Sequence, residues 1–334
     1  MVSAVIFVAT SCVSPLTGFA FWETNLAYEG ESIYNYLQVK NLSDRTILST
    51  NVLFGVQSVT MKDKGLTGMY YDTALAAPTL ADNANSALIL GMGTGTYARQ
   101  LKQYYPKINI TGVEIDQKIT DLAGEYFDEP ADIPVTTYDG RAWLAASHDK
   151  YDVIMVDAYQ DITIPFQMSS TEFFTMVREH LNPGGVMVVN MNMISDGQGS
   201  INEALSDTIA SVFGNGNTLT ADVPNTTNRE LFAKKPGSGS EENSMQQASK
   251  ALNLRETTYE RTGSEDLEWY MEEVASRFRK VNEPDSASTI LTDDKAPVEV
   301  LGMHAIDQII ADEAGPSGQI LKDEGFGGLL RAVQ

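Results

Sequence analysis

Three short runs in this 334-residue chain end in residues suited to holding a nucleoside. Gly91-Met92-Gly93-Thr94-Gly95 follows an apolar stretch, SALIL, and opens a helical one. Glycines at such a turn let the backbone approach a ligand where a side chain would block it. Glu114 closes the next apolar stretch, where a carboxylate can accept hydrogen bonds from both ribose hydroxyls. Asp139-Gly140 closes a third. An acid there can accept from the exocyclic amine of an adenine, and the glycine leaves room for the ring. Each feature alone has a plain alternative, a turn glycine or an acid that caps the next helix. Three in succession at strand ends favour a nucleoside site, because open α/β sheets bind ligands there.

A fourth run, YDVIMVDAYQD, sets Asp157 at a strand end and Asp161 in the following loop. Two carboxylates in a dry site are costly unless a cation lies between them. A protonated amine substrate would supply it; the alternative is a helix cap plus a solvated loop acid. The glycines are spaced G-x-G-x-G, not G-x-G-x-x-G. This favours an adenosyl-sulfonium ligand over a dinucleotide and makes a nicotinamide dehydrogenase the weakest reading.

Alternating β and α patterns between Ala87 and Lys234 must position these residues. SALIL, INITGVE, IPVTTYDG, YDVIMV and GGVMVVNMN read as strands, and TYARQLKQYY, QKITDLAGEYF, RAWLAA and STEFFTMVREHL as helices. That order predicts a Rossmann-like, doubly wound α/β sheet of the S-adenosylmethionine type, with right-handed crossovers. The nearly continuous apolar runs VIMV and VMVV fit strands covered on both faces. Short alternating runs between Ser32 and Thr60 predict a small antiparallel β-domain before it. A helix is expected from Tyr70 to Leu80, and two closing strands at TLTADV and ELFAKK. The domains expected are thus an apolar segment over 1–22, the β-domain over 30–66, the nucleoside-binding domain over 67–235, and a loop and helical extension over 236–334.

Composition narrows the chemistry. With 23 basic against 45 acidic residues the net charge is −22, which repels nucleic acid and anionic membrane and attracts cations. One cysteine, Cys12, excludes an internal disulfide framework. Three scattered histidines form no zinc-type cluster, so no metal is expected. Residues 1–22 carry no charge and include a strongly apolar stretch, Val2–Ala9. They read as a membrane segment or its remnant, with an unusual signal or a packed strand and loop as alternatives.

From Tyr71 to Asn190 the chain resembles the spermidine synthase (polyamine aminopropyltransferase) family. The resemblance rests on Tyr71-Asp72 before a helix, GMGTGTYARQL, VEID, YDG, YDVIMVDAYQD, and TEFF followed by LNPGGVMVV. The ending LTDDKAPVEVL looks like the divergent branch fused to membrane segments, which suits the apolar N-terminus. The resemblance implies transfer of an aminopropyl group from decarboxylated S-adenosylmethionine to a diamine such as putrescine, leaving methylthioadenosine. It assigns Asp157 to orient the amine and accept its proton, assisted by Tyr71, and it requires no metal. Asp161 and Asp72 would face the amine; Asn35, Gly91, Gly93, Thr94, Gly95, Glu114, Asp139 and Gly140 would hold the donor. A homodimer and a catalytic domain in the cytoplasm, free or membrane-associated, are further implications.

Five departures stand out, one of them an extra residue between Asp157 and Asp161 relative to the family spacing. Thr94 replaces the family aspartate that holds the aminopropyl amine, Asn35 replaces a glutamine that touches the nucleoside, and Asp72 stands where Gln or His follows the tyrosine. A later substrate tyrosine has no counterpart near Asn225–Glu230. Thr94 keeps an S-adenosylmethionine-dependent methyltransferase as the rival enzyme, because intact S-adenosylmethionine carries a carboxylate an aspartate would repel. A non-catalytic nucleoside sensor is the third reading.

Overall fold

A computed structural model describes residues 20, 23–51, 56–158, 164–191, 199–224, 226–237, 253–284 and 288–303. Except for Ala20, the apolar segment 1–22 lies outside the described residues, as does Asp161. Among the described residues, no helix is long and apolar enough to cross a membrane.

Strands β1 (Leu26–Glu31), β2 (Tyr36–Asn41), β3 (Arg45–Thr50) and β4 (Ser58–Met61) pair in chain order as an antiparallel sheet. Two short helices follow, α1 (Tyr70–Ala74) and α2 (Ala76–Leu80). The sequence predicts one helix here, and Pro78 explains the break. It has no N–H to give the Ala74 carbonyl four residues back, and the Tyr97 hydroxyl donates to that carbonyl instead, at 3.0 Å.

The remaining strands form one eight-stranded sheet. They are β5 (Ser86–Leu90), β6 (Asn109–Glu114), β7 (Val135–Thr137), β8 (Tyr151–Val156), β9 (Leu181–Met191), β10 (Thr218–Asp222), β11 (Arg229–Lys234) and β12 (Phe278–Lys280). Their spatial order is β12-β10-β11-β9-β8-β5-β6-β7. The run from β9 to β7 is parallel, and the other three strands add antiparallel at one edge. Helices α3 (Thr96–Tyr104), α4 (Gln117–Tyr126), α5 (Gly140–Ala146), α6 (Thr171–His180) and α7 (Ile201–Phe213) alternate with these strands. The fold is Rossmann-like, as the sequence predicts.

Alternation along the strands divides the core between the two faces. Ile89, Met155, Val188 and Phe232 pack with Ala74, Tyr97 and Leu101 on one side. Leu88, Leu90, Ile154 and Met187 pack with Leu144, Phe173, Phe174 and Leu205 on the other. A third cluster joins the small sheet to α4, with Leu37, Val39 and Leu48 against Ile119, Leu122 and Phe127. The Thr96 hydroxyl donates to the Val59 carbonyl at 2.7 Å and ties β4 to α3. These joints hold the first sheet over the C-terminal ends of the second.

Two further helices, α8 (Leu254–Thr262) and α9 (Glu265–Ser276), precede β12. The sequence pattern does not announce α8, because only Leu254 and Thr258 of its residues are buried. Helix α9 lies in the expected helical extension and ends at Ser276, after which Phe278–Lys280 turns extended and joins β10.

Candidate active site

The strand ends open onto a cavity of about 590 Å³. Gly91, Met92, Gly93, Glu114, Asp139, Gly140, Asp157 and Asn190 line it from below; Asn35 and Gln57 of the small sheet's connections and Ser58 of β4 line it from above. Strand β5 lies between β6 and β8, so the chain crosses in opposite directions from it. That switch point is where open α/β sheets bind ligands.

Gly91 has φ +88, and a Cβ there would meet the Asp157 carbonyl oxygen at 2.5 Å, so a side chain is excluded twice over. The turn aims the Gly93 N–H at Glu114, whose Oε2 accepts it at 2.8 Å. Glu114 Oε1 accepts the Asp116 N–H at 3.0 Å. Burial raises the Glu114 carboxyl above its ordinary range, while these two N–H groups act the other way. A carboxylate has about four lone-pair sites, so these bonds leave acceptor capacity on the cavity side. Asp139 caps α5, accepting from the Ala142 N–H at 2.8 Å, and also lines the cavity. One side chain thus both caps the helix and faces the cavity. Asn35 sits at the rim; its Nδ2 donates to Asp116 and its Oδ1 accepts from Asn51.

The opposite end of the cavity is built around Asp157. Its Oδ2 accepts from the Tyr70 hydroxyl at 2.7 Å and its Oδ1 from Asn190 Nδ2 at 3.0 Å. Asn190 Oδ1 in turn accepts from Asn228 at 2.9 Å. Burial pushes the Asp157 carboxyl up to about 7; the bonds from Asn190 and Tyr70 pull it down, and the nearby Glu114 charge adds to the rise. Tyr70 is pushed well above the usual phenol value, by burial first and by Asp157 second, and so stays protonated.

Tyr71 lines the cavity too, but its hydroxyl donates to the Gln57 carbonyl at 2.8 Å. The sequence reading passes over Tyr70 because two adjacent tyrosines give no signal of which faces the acid. Their rings lie 4.0 Å apart between centroids, so a small rotation of a five-residue helix decides it.

Three other expected positions are not on the cavity wall. Asp72 is fully buried and does not line the cavity. Its carboxylate accepts from the Thr67 N–H and hydroxyl, the Gly68 N–H and Gln100, which pins the loop before α1. Expecting it to face the amine is corrected by that geometry: one residue beyond Tyr71 on a helix points about 100° away. Thr94 is fully buried, with a hydroxyl that has no partner among the described residues. Gly95, at φ +78, opens α3 and faces Glu129.

One buried acid escapes the sequence reading. Glu230 is fully buried in β11 directly opposite Asn190, and neither of its oxygens has a partner among the described residues. Burial, and then the Asp157 charge, raises its carboxyl well above the ordinary range. An apolar strand context hides it in sequence. Among the described residues, no group of three or more His, Cys, Asp and Glu is placed to hold a metal ion.

Residues 70–235 match the model of the spermine/spermidine synthase domain. A protein of Bifidobacterium longum named probable polyamine aminopropyl transferase is 98% identical over 334 residues, covering 100% of this chain and 75% of that one. The chain belongs to the spermine/spermidine synthase family. A polyamine aminopropyltransferase of Vibrio vulnificus is 28% identical over 209 residues, 60% of this chain and 69% of that one. Among solved structures, a probable spermidine synthase from Corynebacterium glutamicum superposes with a TM-score of 0.56 at 21% identity, covering 80% of this chain and 99% of that one. At that identity the superposition speaks to the fold, and the fold it supports is the synthase one.

Proposed function

We propose that this enzyme transfers the aminopropyl group of decarboxylated S-adenosylmethionine to a small diamine such as putrescine. The observation that carries the reading is the Tyr70–Asp157–Asn190 arrangement at one end of the cavity over the strand ends. Neither capping nor packing calls for an acid held by two side chains and facing open space.

The step follows from that placement. The attacking amine is protonated in water, with a pKa of about 10. Asp157, raised to about 7, is better matched to it than an ordinary carboxylate and takes its proton. The freed nitrogen lone pair attacks the aminopropyl carbon bonded to sulfur; the N–C bond forms as the C–S bond breaks. The sulfonium takes the bonding pair and leaves as the neutral thioether methylthioadenosine. Because the sulfonium departs readily, holding the two partners in line is the enzyme's main remaining task. Tyr70 and Asn190 fix the carboxylate for it, and Glu114 and Asp139 would hold the ribose and adenine of the donor. The amine substrate is the partner this arrangement calls for, and the cytoplasm is the compartment that fits the same reading.

Calorimetric titration with decarboxylated and intact S-adenosylmethionine, each followed by putrescine, tests the proposal. Binding of the decarboxylated donor and release of methylthioadenosine are expected. Preference for the intact donor without that product would overturn it in favour of a methyltransferase.

A further inference from the structure

The residues that match the family domain end at 235, yet a later segment reaches back to Arg141, beside the cavity's Asp139-Gly140. Residues 291–298 lie against α6 and α7, with Leu291 and Val298 fully buried among the apolar side chains of that face. The Leu291 N–H donates to the Thr208 hydroxyl at 2.9 Å, and its carbonyl accepts the Thr171 N–H at 2.9 Å. This anchoring delivers Asp293 to Arg141. The two make a paired contact, Nη1 to Oδ1 at 2.7 Å and Nη2 to Oδ2 at 2.6 Å. Ser170, the cap of α6, also donates to Asp293, whose own N–H donates to Glu172 at 3.0 Å.

Arg141 is placed to transmit this. It directly follows Asp139-Gly140 on the cavity wall, and its Nη1 also donates to the Gln167 carbonyl at 2.7 Å. Gln167, with Pro165 and Met168, lines the same end of the cavity. One guanidinium thus joins the two walls between which the donor's base would sit, and Asp293 fixes its orientation. A paired arginine–carboxylate contact imposes geometry that a point charge does not. The rest of the segment's contacts explain why it packs there; none of them requires the fork to end on Arg141.

We propose that Asp293 is a positioning residue for the nucleoside subsite, acting through Arg141 to set the spacing between Asp139-Gly140 and Gln167-Met168. The inference rests on the nucleoside reading of that cavity. It assigns a role in donor binding to the LTDD run of a segment outside the matched domain.

The test uses the full chain with Asp293→Asn and, separately, Arg141→Lys, which keeps the charge but loses the fork. Affinity for methylthioadenosine is measured by calorimetry, and KM for donor, KM for amine and kcat by turnover. In both variants methylthioadenosine affinity and donor KM are expected to worsen on the order of tenfold, with amine KM and kcat within about twofold. A merely structural role would lower Tm and leave the nucleoside affinity of the folded protein unchanged, which would overturn the proposal. Equal losses in both KM values and kcat would overturn it as well. Should Asp293→Asn fail to fold, Arg141→Lys decides alone by the same readings. Wild-type protein that does not bind methylthioadenosine would remove the nucleoside reading and this inference together; wild-type binding with unaltered variants would remove only the inference.

Discussion

The two ends of the cavity are built on different principles. At the nucleoside end, each functional group sits at or just after the end of its own parallel strand: Gly91 after β5, Glu114 on β6, Asp139 after β7. Strand register alone places them, and their bonds run to nearby backbone N–H groups. At the amine end, Asp157 relies on side chains from distant parts of the chain, Tyr70 of α1 and Asn190 of β9. The first kind of site tolerates changes around it. The second fails when any one contributor moves, and its carboxyl can be tuned, as the rise to about 7 shows.

The sharpest break between the ends is Asp157→Asn. It removes the proton acceptor and preserves shape, so kcat should fall about 100- to 10,000-fold. Affinity for methylthioadenosine should stay near that of wild type, because no nucleoside contact is lost. Equal losses in turnover and binding would show that the two ends are not separable. The same variant reports on stability. Asp157 has a folded pKa near 7 against an ordinary 3.8, so its contribution is fully present below the lower value and lost as pH rises through the higher. Asp157→Asn should therefore gain stability over wild type at about pH 8 and lose that margin toward about pH 4, read by urea unfolding.

Glu114→Gln is the counterpart at the other end. Replacing a buried carboxylate acceptor by a neutral amide should weaken methylthioadenosine about 10- to 100-fold by calorimetry. At saturating donor, kcat should change far less. A loss in kcat without a loss in affinity would assign Glu114 to the chemistry and dissolve the comparison.

This contrast also explains what could be read from sequence. The parallel sheet, its glycine turn and the strand-end acids announce themselves because apolar runs of five or six residues stop at one glycine or acid each. Asp157 is legible for the same reason. Tyr70 is not, since the choice between it and Tyr71 depends on the roll of α1, which the break at Pro78 and the Asp72 loop contacts set. Asp72 is misread by the same helix geometry. Glu230 and Asp293 are invisible to a strand-end search: the first is a lone acid inside a closing strand, the second arrives from a segment about 150 residues beyond the loop it fixes.

The tyrosine pair can be separated by pH. Tyr70 donates to the ionised form of Asp157 and so holds its pKa down. Tyr70→Phe should move the acid limb of kcat upward from about 7 and lower the plateau about tenfold. Tyr71→Phe loses a bond to a backbone carbonyl and should leave the limb in place. The reverse pattern would return the assisting role to Tyr71.

Glu230 offers the smallest and subtlest effect, because it lies opposite Asn190 in the sheet without lining the cavity. An acid buried without a partner costs stability in the neutral state and more when ionised. Its folded pKa lies well above the ordinary 4.5, so wild-type stability declines as pH rises past that value toward the raised one. Glu230→Leu puts an apolar side chain of similar volume beside Phe232 and Val188. It should stabilise the fold by about 1–3 kcal/mol, with the margin growing as pH rises above the ordinary carboxyl value. Turnover should change only a few-fold, since Asp157 keeps both of its donors. A destabilised variant with depressed turnover would mean that Glu230 finds a partner once the amine is bound, and the amine end would then be held by two acids instead of one.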